Sequence, residues 1–338
     1  MGIRSTYDRA TYFAKAAESR PGWVKEGPHY PNQFHVWYGD KGIISGGNDP
    51  TQTNVIQYTM ISAGPTTDAT DFGDLTVARG ESASASNGLR MVIAGGNSPS
   101  PVGYNDTMEY ITIATSGNGA DFGDLTQKTT QWAGTGDGIY GIFAGGCHTS
   151  GETFNNRIER TKMEPPQNSI DFGDLTEARN ALGCCGNASR AVWASGYNNT
   201  APVNKNIMDY VVIQTTGNAT DFGDTTYDRY NTAGTGGDTR GLFAGGRSAT
   251  ASTWYVTIDY ITIAATGNAT DFGDLTEQKD GPPGFSNNGT RACFVGGHKS
   301  PANKNTIEFV VIATTGNATD VGDLLAANSG MTSSSGAP

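Results

Sequence analysis

Short apolar runs ending in a glycine pair recur along this chain. They close at Gly46-Gly47, Gly95-Gly96, Gly145-Gly146, Gly245-Gly246 and Gly296-Gly297, with Ser195-Gly196 in the fourth place. A second marker is in phase with the first. DFGD stands at Asp71–Asp74, Asp121–Asp124, Asp171–Asp174, Asp221–Asp224 and Asp271–Asp274, and DVGD at Asp320–Asp323, in steps of 50, 50, 50, 50 and 49 residues. Two markers in phase over six copies define six repeats. Residues 229–276 show one unit. RYNTAGTG predicts a first strand of small and polar residues, and a turn at Gly237-Asp238 leads into a second, RGLFAGG. After a loop, TIDYITIAA predicts a third strand rich in β-branched and aromatic residues, and a TGNAT turn leads to a short fourth, DFGDLT. Ile258, Ile261 and Ile263 cannot share one face at period two. The third strand is therefore apolar on both faces, as a sheet stacked between neighbouring sheets requires. The pattern predicts an all-β fold, a six-bladed β-propeller of four-stranded blades over residues 34–338.

Blade one begins late, with DKGIISGG as its second strand. Two closures supply its first strand: the C-terminal segment around Met331–Ser335, which the unit count favours, or Asn32–Tyr38. Residues 1–33 precede the repeats and predict a short helical arm over Tyr7–Ser19, capped by Ser5 or Thr6 and stopped at Arg20-Pro21-Gly22. Ala10, Phe13, Ala14 and Ala17 fall on one face of that helix, beside Tyr7 at its start. Such an arm either packs on the propeller's own side or docks the subunit onto a larger assembly.

Composition narrows the function classes. Glycine supplies 47 of 338 residues and charged residues only 16%, against a usual figure of about 25%, which suits short strands and tight turns. The formal net charge of −11 excludes nucleic acid or an anionic membrane as main partner, since both call for a basic surface. No apolar run approaches the roughly 18 residues of a membrane helix, and MGIRSTYDRA has no apolar signal core, so synthesis in a cytoplasm is expected. Cys147, Cys184, Cys185 and Cys293 form no CxxC pair and read as small buried hydrophobes. Asp68, Asp71 and Asp74, and the related Asn218, Asp221, Asp224 and Asn268, Asp271, Asp274, could ligate calcium. Six similar copies instead suggest a structural turn, with Asp side chains bonding nearby backbone N–H groups. His148 and His298 follow the glycine pairs of blades three and six, which are opposite in a ring of six, so no shared metal or catalytic site is expected. No metal, no cofactor and no enzymatic activity are predicted.

The loops between second and third strands differ in every repeat, whereas the other turns are nearly uniform. Antiparallel order puts these loops and the four-to-one connections on one face, where a rigid scaffold presents recognition residues. Tyr104, Phe154, Tyr197, Trp254 and Tyr255 are the aromatic candidates there, suited to a sugar ring or a protein neighbour. Blade three departs from the pattern: Arg160 replaces the third-strand tyrosine and Pro165-Pro166 follow. A subunit contact or degeneration of one repeat are the two readings.

The order of apolar run, glycine pair, variable loop, aromatic-bearing strand and short fourth strand followed by an arginine (Arg79, Arg179, Arg229) resembles the kelch repeat. The kelch tryptophan is absent; Phe72, Phe122, Phe172, Phe222 and Phe272 take its place, with Val321 in the last copy. The repeat text around YITIAATGNATDFGDLT also resembles repeats of structural proteins of tailed, especially marine, bacteriophages. That resemblance implies a non-enzymatic virion structural protein, made in the host cytoplasm, serving as a propeller-shaped tail, neck or capsid appendage whose partners are other virion proteins. The alternative is a host-recognition adhesin that binds a surface glycan, and a kelch-type enzyme stands third.

Overall fold

The computed structural model describes residues 39–62, 68–148, 153–287 and 289–336. The helix expected over 7–19, with Tyr7, Ala10, Phe13, Ala14 and Ala17, and the alternative closing strand Asn32–Tyr38 lie outside these residues.

Six four-stranded antiparallel sheets follow one another along the chain as the blades of a β-propeller. Blade two shows the plan: Ala83–Ser86 innermost, then Arg90–Ala94, Thr107–Thr112 and Ala120–Asp124 at the outer edge. Blade one draws its innermost strand from the C-terminus. Thr332–Gly336 pairs antiparallel with Lys41–Ser45, Ile44 opposite Ser333, which is the closure favoured by unit counting. Closing the ring by pairing Lys41–Ser45 with Thr332–Gly336 removes two edges that would otherwise pair with other chains.

The innermost strands read ASAS, AGTG, GCCG, AGTG, GFSN and TSSSG, mostly small because six strands converging on an axis leave little room; Phe285 fits where Gly42 of blade one leaves space for its ring. The second strands are buried on both faces, and Trp193, Phe143, Phe243 and Phe294 within them are fully buried. The apolar core accordingly lies between blades. Among the described residues six clusters alternate with the six blades; the last joins Ile44 of blade one to Phe285, Val295 and Ile307 of blade six. The four cysteines are buried.

The DFGD motif is an inter-blade device. Its phenylalanines are 2–4% exposed and meet the third-strand tyrosine edge-on, at 6.0 Å for Tyr110–Phe122 and 5.8 Å for Tyr210–Phe222. Its glycine is required because the next blade comes too close for a side chain. A Cβ on Gly223 (φ 136°) would lie 2.5 Å from the Gly267 carbonyl oxygen, and one on Gly173 would lie 2.4 Å from that of Gly217. The expected local role of the Asp side chains is seen in the last copy, where Asp320 accepts the Gly322 N–H at 3.2 Å, and the motif also makes a bond between blades. The second Asp of each motif offers its backbone N–H to a side chain of the next blade: Asp74 to Asn118 (3.0 Å), Asp174 to Asn218, Asp224 to Asn268 and Asp274 to Asn317 (3.1 Å each). Asp68 takes the asparagine's place for Asp323, across the closure. The turn asparagines are latches between blades; the motif aspartates Asp71, Asp121, Asp221 and Asp271 themselves face solvent.

Blade three is intact. In the other blades a cation at the start of the second strand lies over the third-strand aromatic ring: Arg90 over Tyr110 at 4.7 Å, Arg190 over Tyr210 at 4.6 Å, Arg240 over Tyr260 at 4.8 Å. In blade three the two have exchanged places. Tyr140 holds the arginine position, Arg160 the tyrosine position, and the guanidinium still covers the ring at 4.3 Å. Arg160 also donates to the Ile213 carbonyl of blade four (2.8 Å), as Arg190 does to Ile263 and Arg240 to Ile312. The reciprocal exchange keeps the contact, so neither degeneration nor a partner subunit is needed to explain it.

Candidate binding face

The four-to-one connections carry a buried base and the third strands a buried acid. Arg79 pairs with Glu109, Arg179 with Asp209 (2.7 Å), Arg229 with Asp259 (2.9 Å) and Lys279 with Glu308, each partner 2% exposed or less. Each acid also accepts the N–H of the threonine that follows the preceding blade's DFGDL or DFGDT: Thr176 to Asp209, Thr226 to Asp259, Thr276 to Glu308. Burial acts to lower the Arg79 and Arg229 pKa values, with Glu109 and Asp259 opposing it. A lone charge there would be costly, and the remaining two repeats show how the cost is avoided. Where Asn328 replaces the base, Gln57 replaces the acid, and its side-chain oxygen accepts the Leu325 N–H at 3.0 Å. Where Thr129 replaces the base, Glu159 finds Arg157 at 3.3 Å and the Thr126 hydroxyl at 2.6 Å. These charged groups tie connection, third strand and preceding blade together.

Two residues after each base or its substitute stands a member of a backbone ring. Glu81, Gln131, Ala181, Asn231, Gly281 and Gly330 all have left-handed backbone, with φ between 54° and 61°. Their amides are linked in sequence around the axis: Gln131 N–H to Glu81 O (2.9 Å), Ala181 to Gln131 (2.7 Å), Asn231 to Ala181 (2.8 Å), Gly281 to Asn231 (2.7 Å) and Glu81 to Gly330 (2.6 Å). This ring rims a cavity of about 280 Å³ at the mouth of the axial channel. The wall below the rim is small and apolar at Ala83, Ala133 and Ala233, and Asn48, Asp280 and His298 complete the polar border. Burial raises the Glu81 pKa, against hydrogen bonds from Gln131 and Thr130. Burial likewise raises that of Asp280, opposed by Arg247 and His298.

Outside the rim lie the aromatic candidates, all partly exposed. Phe154 of blade three meets Tyr197 of blade four edge-on at 5.8 Å, and Tyr197 meets Tyr230 at 5.4 Å, with Arg247 over Tyr230 at 4.9 Å. Tyr255 stacks on Tyr227 at 5.1 Å. Trp254 donates its indole N–H to the Asp280 carboxylate at 3.1 Å, which Arg247 also approaches at 3.0 Å. Phe154 and Tyr197 thus come together with Tyr230 in one aromatic strip across three blades. Trp254 joins an ionic cluster, and Tyr104 lies on the small hairpin Asn97–Ser98/Gly103–Tyr104 of blade two. Tyr230 and Tyr227 were not read from the sequence as site residues. Both belong to the uniform connection, and only their contact with variable-loop rings marks them. The channel-mouth ring was also missed; its signal is a column of residues at fifty-residue spacing that includes glycine twice. Among the described residues no group of three or more His, Cys, Asp and Glu side chains is placed to hold a metal ion.

No family model matches this chain, and no curated protein matches it. Solved structures do: 426 chains match, a breadth that carries the fold and not an activity. One of them, described as "Structure of YjhT", superposes with a TM-score of 0.67 over 87% of this chain and 99% of its own, at 10% identity. That likeness is one of architecture.

Proposed function

We propose that the chain is a non-enzymatic binding and structural protein, a divergent kelch-like propeller that serves as a tail, neck or capsid appendage of a tailed phage. The observation that carries the non-enzymatic reading is the fate of the charged groups. The buried ion pairs recur with the repeat and are engaged between connection, third strand and preceding blade, whereas the chain's variation is concentrated in the loops of one face. A catalytic site concentrates perturbed charged groups at one place; here buried charged pairs are spread over four repeats. The virion setting rests on the resemblance of the repeat text to phage structural proteins. Under this reading the variable face contacts partners and the N-terminal segment joins the assembly.

The strip of Phe154, Tyr197 and Tyr230 favours a second reading, host-glycan recognition, because staggered, partly exposed rings offer apolar surface to sugar C–H groups. One experiment separates the two. Variants lacking residues 1–31, or carrying Phe154→Ala with Tyr197→Ala, are supplied to assembling particles, and incorporation and host adsorption are measured separately. The arm deletion is expected to abolish incorporation; the loop variant is expected to incorporate. Loss of adsorption in the loop variant supports glycan recognition. Incorporation of the arm deletion at the wild-type level overturns the arm's role.

A further inference from the structure

At one place on the variable-loop face the scaffold's usual solution has been replaced. Tyr227 follows the DFGDTT run of blade four, where the two neighbouring repeats have Glu177 and Glu277. Tyr255 stands four residues before the buried acid Asp259, where the other repeats have Thr53, Asn105, Asn155, Lys205 and Lys304. In blades four and six these two positions form an ion pair, Lys205 with Glu177 at 2.7 Å and Lys304 with Glu277 at 2.6 Å. In blade five, between them, both charges are gone and two tyrosines stack instead, 5.1 Å apart at 29°. The fold accepts an ion pair at this position, so its packing does not require the rings. The next residue has changed as well. Asp228 is exposed and stands where Ala178 and Gln278 stand in the neighbouring repeats. Burial raises the Tyr255 pKa and the Asp228 charge adds to it, so the carboxylate lies close to the stack.

The exchange removes a cation, adds an acid and leaves aromatic surface open. Tyr227 is 46% exposed. Elsewhere the chain covers its tyrosines itself: Lys41, Arg90, Arg160, Arg190, Arg240 and Arg247 lie over Tyr58, Tyr110, Tyr140, Tyr210, Tyr260 and Tyr230. Among the described residues no lysine or arginine lies over Tyr227 or Tyr255. The nearest base along the chain, Arg229, is fully buried and paired with Asp259 at 2.9 Å, so its charge is balanced. A tyrosine face beside a carboxylate suits a guanidinium, whose plane stacks on the ring while its N–H groups donate to the acid. The formal net charge of −11 also draws a basic partner toward this surface. Asp228 disfavours an anion. A neutral sugar also lies on tyrosine faces, but it leaves the missing charge unreplaced.

We propose that Tyr227, Tyr255 and Asp228 form a docking site for an arginine side chain of a protein partner, which takes the place that Lys205 and Lys304 fill in the two neighbouring blades. The site is separate from the strip of Phe154, Tyr197 and Tyr230, and it does not depend on the virion setting. The test is NMR on the full chain, isotope-labelled in its tyrosine rings, with signals assigned from Tyr227→Phe and Tyr255→Phe. The probes are the blocked peptide Gly-Arg-Gly, its neutral isostere Gly-citrulline-Gly, and glucose as the sugar control. The arginine peptide is expected to displace the Tyr227 and Tyr255 signals roughly threefold more than the citrulline peptide does, in line with the strength of an exposed cation–ring contact, and to move the covered rings of Tyr110 and Tyr210 less. Asp228→Ala, which matches Ala178, is expected to reduce the displacement at least by half with an unchanged melting temperature. Tyr255→Lys supplies the cation from the chain itself, as Lys205 does, and the Tyr227 signal is expected to lose its response. No displacement at either ring, equal displacement by the citrulline peptide, a larger response to glucose, a response spread evenly over the covered rings, or an undiminished Tyr227 response in a folded Tyr255→Lys variant would each overturn the proposal.

Discussion

Removing one member of a buried base–acid pair should cost far more than removing both. Arg229 and Asp259 are both fully buried and 2.9 Å apart. Arg229 also donates to the Gly245 carbonyl at 2.8 Å and the Thr257 carbonyl at 3.0 Å, and Asp259 accepts from the Thr226 hydroxyl at 2.6 Å. Asp259→Ala strands the guanidinium with carbonyl partners only, and leaves the Thr226 N–H and hydroxyl without their acceptor. Breaking a buried pair in this way costs about 3–5 kcal/mol. With unfolding entropy near 2.1 cal/mol/K per residue, a propeller of about 300 residues loses roughly 1.6 °C per kcal/mol, so the melting temperature should fall by about 5–8 °C. The chain itself supplies the rescue. At the closure the equivalent positions hold Asn328 and Gln57, so the double change Arg229→Asn with Asp259→Gln transplants a neutral pair that this scaffold already tolerates. It should recover more than half of the loss. Calorimetry and chemical denaturation of wild type, the single variant and the double variant complete the measurement. A single variant that loses less than about 1 kcal/mol, or a double variant no better than the single, would refute the argument that these pairs are kept because a lone charge is intolerable.

Phe122→Ala empties a site between blades two and three and should cost about 3–5 kcal/mol, read by denaturant midpoint; a loss below about 1 kcal/mol contradicts the burial of that ring. Deleting Gly330–Pro338 removes the innermost strand of blade one, and light scattering should show aggregation at temperatures where wild type stays soluble. Asp137 is fully buried at the turn where Asn87 and Asn187 stand in other blades, and burial raises its pKa against hydrogen bonds from the Tyr140 and Ile139 amides and Gln214. A raised carboxyl pKa favours folding while the group is protonated, and that advantage is lost as pH rises from the unfolded value, about 3.9, through the folded one. Asp137→Asn should therefore match wild type in melting temperature near pH 4 and exceed it increasingly toward pH 7; a difference independent of pH contradicts the assignment.

The sequence carried the periodic part of this structure almost unaided. Two glycine-bearing markers in phase gave six blades, and counting units left the C-terminus to close the first. What stayed hidden is the set of contacts whose partners are one blade apart. Asn218 reads locally as a turn residue, because the N–H it accepts belongs to Asp174, 44 positions earlier. Arg160 reads as a lapse until Tyr140 is seen across the strand pair holding the arginine's place. Gln57 and Asn328 are unremarkable singly, and become informative only when both are set beside the acid and base of other repeats. At the binding face Phe154 and Tyr197 were legible as aromatics on variable loops. Tyr230 was not, since its role depends on how far a neighbouring blade's loop leans over it, and local sequence does not encode that distance.

The central claim is that this propeller is a structural part of a phage particle, and the composition of the particle tests it most directly. Quantitative mass spectrometry on density-purified particles from the source culture should find the chain at a fixed copy number relative to the major capsid protein, retained through salt washing. Recovery only in the soluble fraction, or a copy number that varies between preparations and falls with washing, would contradict it.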